Sequence, residues 1–172
     1  MSGQLRAGVP ATRSGHLVRD SSLGLVPATL DKILPLHGGV WHNNSLKPAL
    51  IEVLRLRNAR TVNCAICKSV RYDIAKQDGL TEAKAEQIDN NFRASNLEPA
   101  EKALIAFADV YLLDPQSVDP KLIAELRQYF SEQQICHMAI ALTTFHAMSR
   151  CAVSLGGMPE SLPIMEIPLP AA

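Results

Sequence analysis

The feature of this sequence that most constrains its fold is a series of helix starts. Six segments begin with residues that favour a helix N-terminus and continue with apolar residues at helical spacing. The starting residues are Ser45 with Pro48, Asn63, Thr81, Pro99, Asp119 with Pro120, and Ser131 with Gln134. No segment alternates apolar and polar residues over more than a few positions, as a half-buried strand would. The sequence therefore predicts an all-α fold with about six main helices.

The apolar patterns of these helices predict how each one packs. The second of the six helices is predicted to extend from Cys64 to about residue 76. The fifth, which starts at Asp119, extends to about residue 129, and the sixth, which starts at Ser131, extends to about residue 154. The helix that starts at Pro99 is apolar nearly all round, which indicates burial. The last helix carries one apolar stripe through Ile135 and a second through Ile140. Two stripes predict a core contact on one side and a subunit contact on the other.

The remaining segments divide the chain into three parts. Residues 1–28 lack periodicity and are predicted to form a flexible arm, residues 29–157 form a helical domain, and residues 158–172 form a Pro-rich, extended tail. Before the first long helix lie a short apolar piece and a Gly38-Gly39 break. His37 and His42 are predicted to lie in this loop. A length of 172 residues fits one domain with a core.

Charge and apolar content exclude several classes of partner. The formal net charge is zero, so no nucleic acid or anionic membrane is expected as a partner. The basic residues between Leu54 and Arg60 are interpreted as a solvated or ion-paired helix face. No apolar run approaches the roughly 20 residues of a membrane span, and the N-terminus does not resemble a secretory signal. Four cysteines do not make a disulfide scaffold, so a reducing, cytoplasmic setting is expected.

Two of the cysteines form a C-x-x-C pair, Cys64 and Cys67, at a predicted helix start. This spacing brings the two sulfurs within bridging reach, and the unpaired N–H groups there lower the pKa of a thiol. The pair is interpreted as a redox couple, with two inert thiols or half of a zinc site as alternatives. The sequence predicts no metal and no organic cofactor, since it has no finger-like second pair, phosphate loop or haem motif. Cys136 and Cys151 are interpreted as small core residues.

A carboxylate upstream extends this pair into a family pattern. Glu52, eleven further residues, and then Cys64 and Cys67 resemble the signature E-x(11)-C-x-x-C-x-x-x-H of the carboxymuconolactone decarboxylase / alkylhydroperoxidase D-like superfamily. The flanking segments 54–59, 79–82, 97–101 and 145–150 agree, and the resemblance spans roughly residues 30–157. It implies an all-α fold around a helical hairpin, assembled as a homo-oligomer, either a trimer or a hexamer.

The resemblance also implies a function and a set of site residues. The peroxidase branch reduces a hydroperoxide substrate with electrons from a dithiol or protein reductant. Carried over to this chain, Cys67 attacks the peroxide, Cys64 is its disulfide partner, and Glu52 is the carboxylate of a proton relay. The histidine of the signature is replaced by Arg71, whose pKa above about 12 rules out a general base. His146 on the last helix is the candidate replacement.

Arg71 leaves other interpretations open. It can stabilise a thiolate, or form a plain ion pair with Glu52 or Asp73. It can also hold the carboxylate of a lactone acid, which would make the chain a lyase of the same superfamily, although that branch generally lacks the paired cysteines. The third alternative is a non-catalytic oligomer whose dithiol only senses the redox state.

Overall fold

The computed structural model describes residues 3–43 and 45–169 and confirms the all-α prediction. In the part described, the α-helices are α1 (Pro27–His42), α2 (Pro48–Thr61), α3 (Ala65–Ser69), α4 (Asp73–Gln77), α5 (Glu82–Glu86), α6 (Pro99–Leu113), α7 (Pro120–Leu126) and α8 (Glu132–Leu155). Two short strands accompany them, β1 (Val70–Tyr72) and β2 (Met165–Ile167).

Most predicted helix starts are confirmed, because the capping residues act as their chemistry suggests. The Ser131 hydroxyl accepts from the Gln134 N–H, and the Gln134 side chain accepts from the Ser131 N–H, which is a capping box. Thr81 caps α5 and Asp119 caps α7 through side-chain oxygens. Pro48 and Pro99 stand at the first positions of α2 and α6. α7 ends at Leu126, three residues earlier than predicted.

The predicted loop before the first long helix is wrong, since residues 27–42 form α1. Gly38 and Gly39 each weaken a helix by about 1 kcal/mol relative to alanine, which is why the sequence suggested a break. Burial outweighs this cost: Leu30 and Trp41 are each 2% exposed and lie within the molecule. His37 and His42 are therefore helical residues.

The predicted continuous helix from Cys64 to residue 76 is also wrong. It is divided into α3, β1 and α4, because the tail supplies a strand partner for its central residues. β1 and β2 pair in parallel, with Val70 opposite Met165 and Tyr72 opposite Ile167. The partner lies about ninety residues away in sequence, so no local pattern indicates the break.

α2 is the central element of the core. It packs against α6 on one side and α8 on the other, and α1 packs on α8. Its apolar residues Ile51, Val53, Leu54 and Leu56 are all at most 1% exposed. Because every face of α2 is covered, the polar residues of this helix also lie inside the molecule.

α8 contacts the core with one of its two apolar stripes. Ile135, Met138 and Leu142 are buried, whereas Ile140 on the second stripe is 56% exposed. A subunit contact along the second stripe stays a prediction. By length and composition alone α8 could cross a membrane, with a mean hydropathy of 1.2 over 18 residues. Buried His137 on α8, however, hydrogen-bonds the Val40 carbonyl of α1, as expected for a helix of a protein core.

The N-terminal arm packs on the C-terminal end of α8. The Arg6 N–H donates to the Leu155 carbonyl at 2.8 Å, and the Arg6 guanidinium donates to the carbonyls of Val153 and Ser154. The arm thus pairs carbonyl groups that a helix end leaves without partners. Gly156 has a φ of 79°, and a Cβ there would lie 2.1 Å from the Gln4 carbonyl oxygen, so glycine is required for this close approach.

An aromatic cluster lies between α1, β1 and α8. His37 packs at 5.4 Å from Phe145 and 5.9 Å from Tyr72, and the Trp41 ring lies 4.7 Å from Tyr72. Burial, helped by the positive charge of Arg55, lowers the pKa of His37 to about 4. The folded protein therefore holds His37 neutral across the range where an unfolded chain protonates it.

His37 is expected to make stability depend on pH. The folded pKa lies below the unfolded value near 6.5, so stability is full above pH 6.5 and falls as the pH drops towards 4. The loss attributable to His37 is about 2–3 kcal/mol by pH 4.5. Urea unfolding at pH 7 and pH 4.5 measures it. His37→Phe should remove this part of the acid loss, whereas the same change at exposed His42 should leave it intact.

Candidate functional site

The two cysteines of the C-x-x-C pair form a disulfide, with Cα atoms 5.2 Å apart. The prediction that Asn63 caps α3 is wrong. Asn63 adopts a left-handed φ of 57° and terminates α2. The Cys64 N–H returns to the Ala59 carbonyl at 3.0 Å, which closes that end. Cys64 is consequently the N-cap of α3, one position later than expected, and its sulfur accepts from the Cys67 N–H at 3.2 Å.

The two sulfurs have different surroundings. Cys64 is fully buried, and its sulfur contacts the Met158 sulfur at 3.9 Å. Cys67 is only partly buried, and the Ser149 hydroxyl lies 3.4 Å from its sulfur. A molecule approaching from solvent therefore meets Cys67 before Cys64.

The C-terminal tail covers the buried side of the disulfide. Met158 lies over Cys64, and further along the tail the Leu162 carbonyl accepts from the Ser69 hydroxyl at 3.0 Å. β2 then pairs with β1, and Glu166 forms an ion pair with Lys76 of α4. The described part of the tail, residues 158–169, thus packs on its own chain along the segment that follows the cysteines.

Glu52 lies in the core of the molecule, paired with an arginine that the sequence interpretation had not singled out. Glu52 is fully buried, and its two carboxylate oxygens accept from Arg55 at 2.6 and 2.7 Å. The same guanidinium donates to the carbonyls of Cys67 and Val70, both at 2.6 Å. Glu52 therefore reaches the disulfide loop through Arg55.

Charge pairing keeps Arg55 protonated in this buried position. Burial by itself lowers the pKa of Arg55, but the negative charge and hydrogen bonds of Glu52 outweigh it and the net shift is upward. A buried ion pair of this kind is stable only with good geometry and further hydrogen bonds, and the two carbonyls supply them. The pair fixes the loop on which Cys67 stands.

Arg71 lies at the signature's histidine position but does not form either of the predicted ion pairs. Its guanidinium binds Glu82 at 2.9 to 3.2 Å and donates to the carbonyls of Lys68 and Val70. All three of its nitrogens are engaged in this way. The reason is the break after α3: Arg71 stands on β1, so it does not follow Cys67 on one helical face.

His146 lies at one end of a hydrogen-bonded series that reaches Cys67. Its Nδ1 atom is 2.9 Å from Asn58 Oδ1, and Asn58 Nδ2 donates to the Ser149 hydroxyl at 3.0 Å. The Ser149 hydroxyl is the group 3.4 Å from the Cys67 sulfur. Burial and the neighbouring charge of Arg150 lower the pKa of His146, which favours its neutral form.

Some sequence interpretations of this region hold and others need correction. Of the two alternatives for Arg55 and Arg57, the ion-paired one holds: they are 5% and 8% exposed and bind Glu52 and Asp109. Free Cys136 is exposed and free Cys151 is partly exposed, so neither is a buried core residue. Among the described residues, no group of three or more metal-ligating side chains is close enough to hold a metal ion.

Comparison with known sequences finds relatives of undefined function. No family model matches the chain. Uncharacterized proteins from two strains of Mycobacterium tuberculosis are each 28% identical over 143 residues, which is 83% of this chain and 49% of each relative. The chain thus spans about half the length of the curated relatives it matches.

Several solved structures have a similar fold, among them three with TM-scores of 0.66 to 0.71. One is a protein of unknown function from Agrobacterium tumefaciens, associated by name with AhpD antioxidant defence (TM-score 0.68, 20% identity, 80% of this chain and 94% of that one). The second is the alkylhydroperoxidase core of a peroxidase-related protein from Ralstonia eutropha (TM-score 0.71, 18% identity, 80% of this chain and 74% of that one). The third is the debrominase Bmp8 in complex with 2,3,4-tribromopyrrole (TM-score 0.66, 19% identity, 81% of this chain and 75% of that one).

Proposed function

This chain has the alkylhydroperoxidase D-like fold, and we propose that it is a thiol-dependent peroxidase or disulfide reductase that works through Cys64 and Cys67. The observation that carries the proposal is the disulfide itself, with one sulfur buried and the other partly exposed. Such asymmetry suits two thiols with different tasks. The exposed sulfur meets the substrate, and the buried sulfur reacts only with its neighbour.

The oxidative half of the cycle assigns these tasks. The Cys67 thiolate attacks the outer oxygen of a hydroperoxide, which breaks the O–O bond, forms a sulfenic acid and releases an alcohol after protonation. The Cys64 thiol then attacks the Cys67 sulfur, and water leaves as the disulfide forms. The two cysteines lose two electrons and the hydroperoxide gains them. The second step is intramolecular and fast, because the Cα atoms of the two cysteines lie only 5.2 Å apart in the same chain.

The reductive half needs an external dithiol. One of its sulfurs attacks Cys67, the more accessible sulfur, and Cys64 leaves as a thiolate. The Cys67 N–H, which already donates to the Cys64 sulfur at 3.2 Å, stabilises this leaving group. The second sulfur of the reductant then releases Cys67 and restores the dithiol. This chemistry fits a cytoplasmic setting, where such reductants are maintained.

The lyase alternative loses support from the geometry of Arg71. That alternative depended on Arg71 holding a substrate carboxylate, and the carboxylate it holds is that of Glu82. The guanidinium is also nearly fully buried. The non-catalytic alternative predicts the same disulfide without turnover, so an activity measurement separates it from the proposal.

Turnover of a hydroperoxide is the direct test of the proposed function. The protein is first reduced, and cumene hydroperoxide consumption is then followed with dihydrolipoamide or dithiothreitol as electron donor. We expect many equivalents of peroxide to be consumed per chain, with one equivalent of dithiol oxidised for each. Peroxide consumption of one equivalent or less, followed by a stable disulfide, would instead support a redox sensor.

A further inference from the structure

We propose that the hydroxyl of Ser149 is a catalytic hydrogen-bond donor to the Cys67 sulfur and that Asn58 and His146 position it. The inference rests on the proposed function, because it assigns a role in activating Cys67. Ser149 stands on α8, and its hydroxyl is 3.4 Å from the Cys67 sulfur, within hydrogen-bond range for a sulfur acceptor. No signature residue supplies this contact.

The direction of every hydrogen bond in the series follows from the chemistry of its first member. Arg150 can only donate, so His146 Nε2, 3.2 Å from its guanidinium, is the acceptor and Nδ1 carries the proton. The Nδ1–H group of His146 donates a hydrogen bond to Asn58 Oδ1, and the Asn58 amide NH₂ donates to the Ser149 oxygen. The oxygen of Ser149 thus accepts from Asn58, and the hydroxyl proton of Ser149 is left to donate to the Cys67 sulfur.

Burial protects these hydrogen bonds from competition with water. Asn58 is fully buried and Ser149 is 3% exposed, so water does not compete for either group. Asn58 fixes Ser149 from α2, while Ser149 itself is held on α8, so the packing of the two helices sets the position of the hydroxyl. The partly exposed side of the series is the end at His146 and Arg150.

Three charged side chains close to Cys67 are bound to other groups. Arg55 donates to the Cys67 carbonyl and is neutralised by Glu52, and the Lys68 ammonium binds Asn63. Arg71 is bound to Glu82. Arg55 and Arg71 hold the backbone of the loop, whereas the hydroxyl of Ser149 donates from a side chain to the Cys67 sulfur itself.

A donor at this position favours the anionic form of the sulfur. A hydrogen bond to a charged acceptor is roughly twice as strong as one between neutral groups, so Ser149 stabilises the thiolate more than the thiol. In the proposed cycle, the thiolate is the form that attacks the peroxide. His146 thereby acts through Asn58 and Ser149 as a positioning residue, with no need to exchange a proton with the substrate.

The test measures the reactivity of the Cys67 thiol directly, without peroxide. In a Cys64→Ser background with Cys136 and Cys151 also replaced by serine, the rate of iodoacetamide alkylation is followed against pH. Adding Ser149→Ala should slow alkylation about tenfold near pH 7, the loss expected for a charged hydrogen bond. At high pH, where the thiol ionises regardless, the two rates should converge.

Four further variants separate this role from a structural one. Ser154→Ala removes a hydroxyl that bonds the Cys151 carbonyl on the same helix, and it should leave alkylation unchanged. Ser149→Thr keeps the hydroxyl and should restore most of the rate. His146→Ala should give a smaller loss with the same pH pattern, and His146→Gln, which can still donate to Asn58, should recover it.

The outcomes distinguish this inference from the proposed function. An unchanged pH profile in folded Ser149→Ala overturns the role of the hydroxyl, even where the wild-type protein turns over peroxide. A shifted profile in a protein that consumes no peroxide supports the hydroxyl and rejects the peroxidase. Thermal unfolding of each variant shows whether it is folded. If Ser149→Ala is not folded, His146→Ala supplies the result, because it removes the group that positions Asn58 and Ser149 and leaves the hydroxyl in place.

Discussion

Cys67→Ser is expected to reduce hydroperoxide turnover by at least about 100-fold, because a serine hydroxyl is not ionised near neutral pH and does not attack the O–O bond. The fold should remain, since Cys67 is only partly buried and its carbonyl, not its sulfur, binds Arg55. The measurement is peroxide consumption with dithiothreitol, at several peroxide concentrations, together with the unfolding midpoint of the reduced protein.

Cys64→Ser provides the matched comparison, since it differs only in which sulfur is removed. Its Cys67 should still react once with peroxide, and an added thiol should then remain attached as a mixed disulfide visible by mass spectrometry. Cys136→Ser changes an exposed thiol outside the pair and should leave turnover intact. If Cys64→Ser abolished the first reaction and Cys67→Ser preserved it, the assigned order of the two sulfurs would be reversed.

Glu52→Gln is expected to destabilise the protein by about 3 kcal/mol or more, because it leaves the Arg55 cation buried without its counter-charge. Glu52 is fully buried and Arg55 is 5% exposed, so solvent cannot replace the lost carboxylate. The carbonyls of Cys67 and Val70 and the Tyr72 ring, 5.4 Å away, would remain as partners of the guanidinium, and none of them supplies a negative charge. Urea unfolding of the reduced proteins at pH 7 measures the free energy of unfolding.

The same substitution on an exposed ion pair is the control. Glu132 binds Arg127 at 2.6 Å, but both side chains are more than half exposed, and such pairs contribute about 0–1 kcal/mol. Glu132→Gln should therefore be nearly neutral. Equal effects of the two substitutions would contradict a structural role for the buried pair. A loss of activity in Glu52→Gln beyond the unfolded fraction would support the proton relay implied by the family resemblance.

Local chemistry explains why much of the fold was predictable. Helix starts depend on one capping side chain and the backbone next to it, so Ser131, Asp119 and Thr81 marked α8, α7 and α5 correctly. Where distant segments decide the structure, the prediction failed. α1 forms across a glycine pair because Trp41 is buried, and β1 forms because residues 165–167 pair with it.

The candidate site divides in the same way. Cys64 and Cys67 are close in sequence, and their spacing alone indicated the disulfide that is present. Arg55 was within reach of such reasoning, because it follows Glu52 by three residues on one helix and the two side chains can meet. Ser149 and Asn58 were not, since 91 residues separate them and nothing in either segment marks the contact.

The pairing of β1 with β2 also has a consequence for biosynthesis. Residues 64–72 are synthesised well before residues 158–167, so Met158 and the second strand reach the cysteines only after that later segment has been translated. Until then the sulfur of Cys64 lacks its contact with Met158, so we expect Cys64 to be more accessible than in the complete fold. The order of synthesis thus gives the cell an interval in which either cysteine can be oxidised, glutathionylated or reduced before the tail restricts access to one of them.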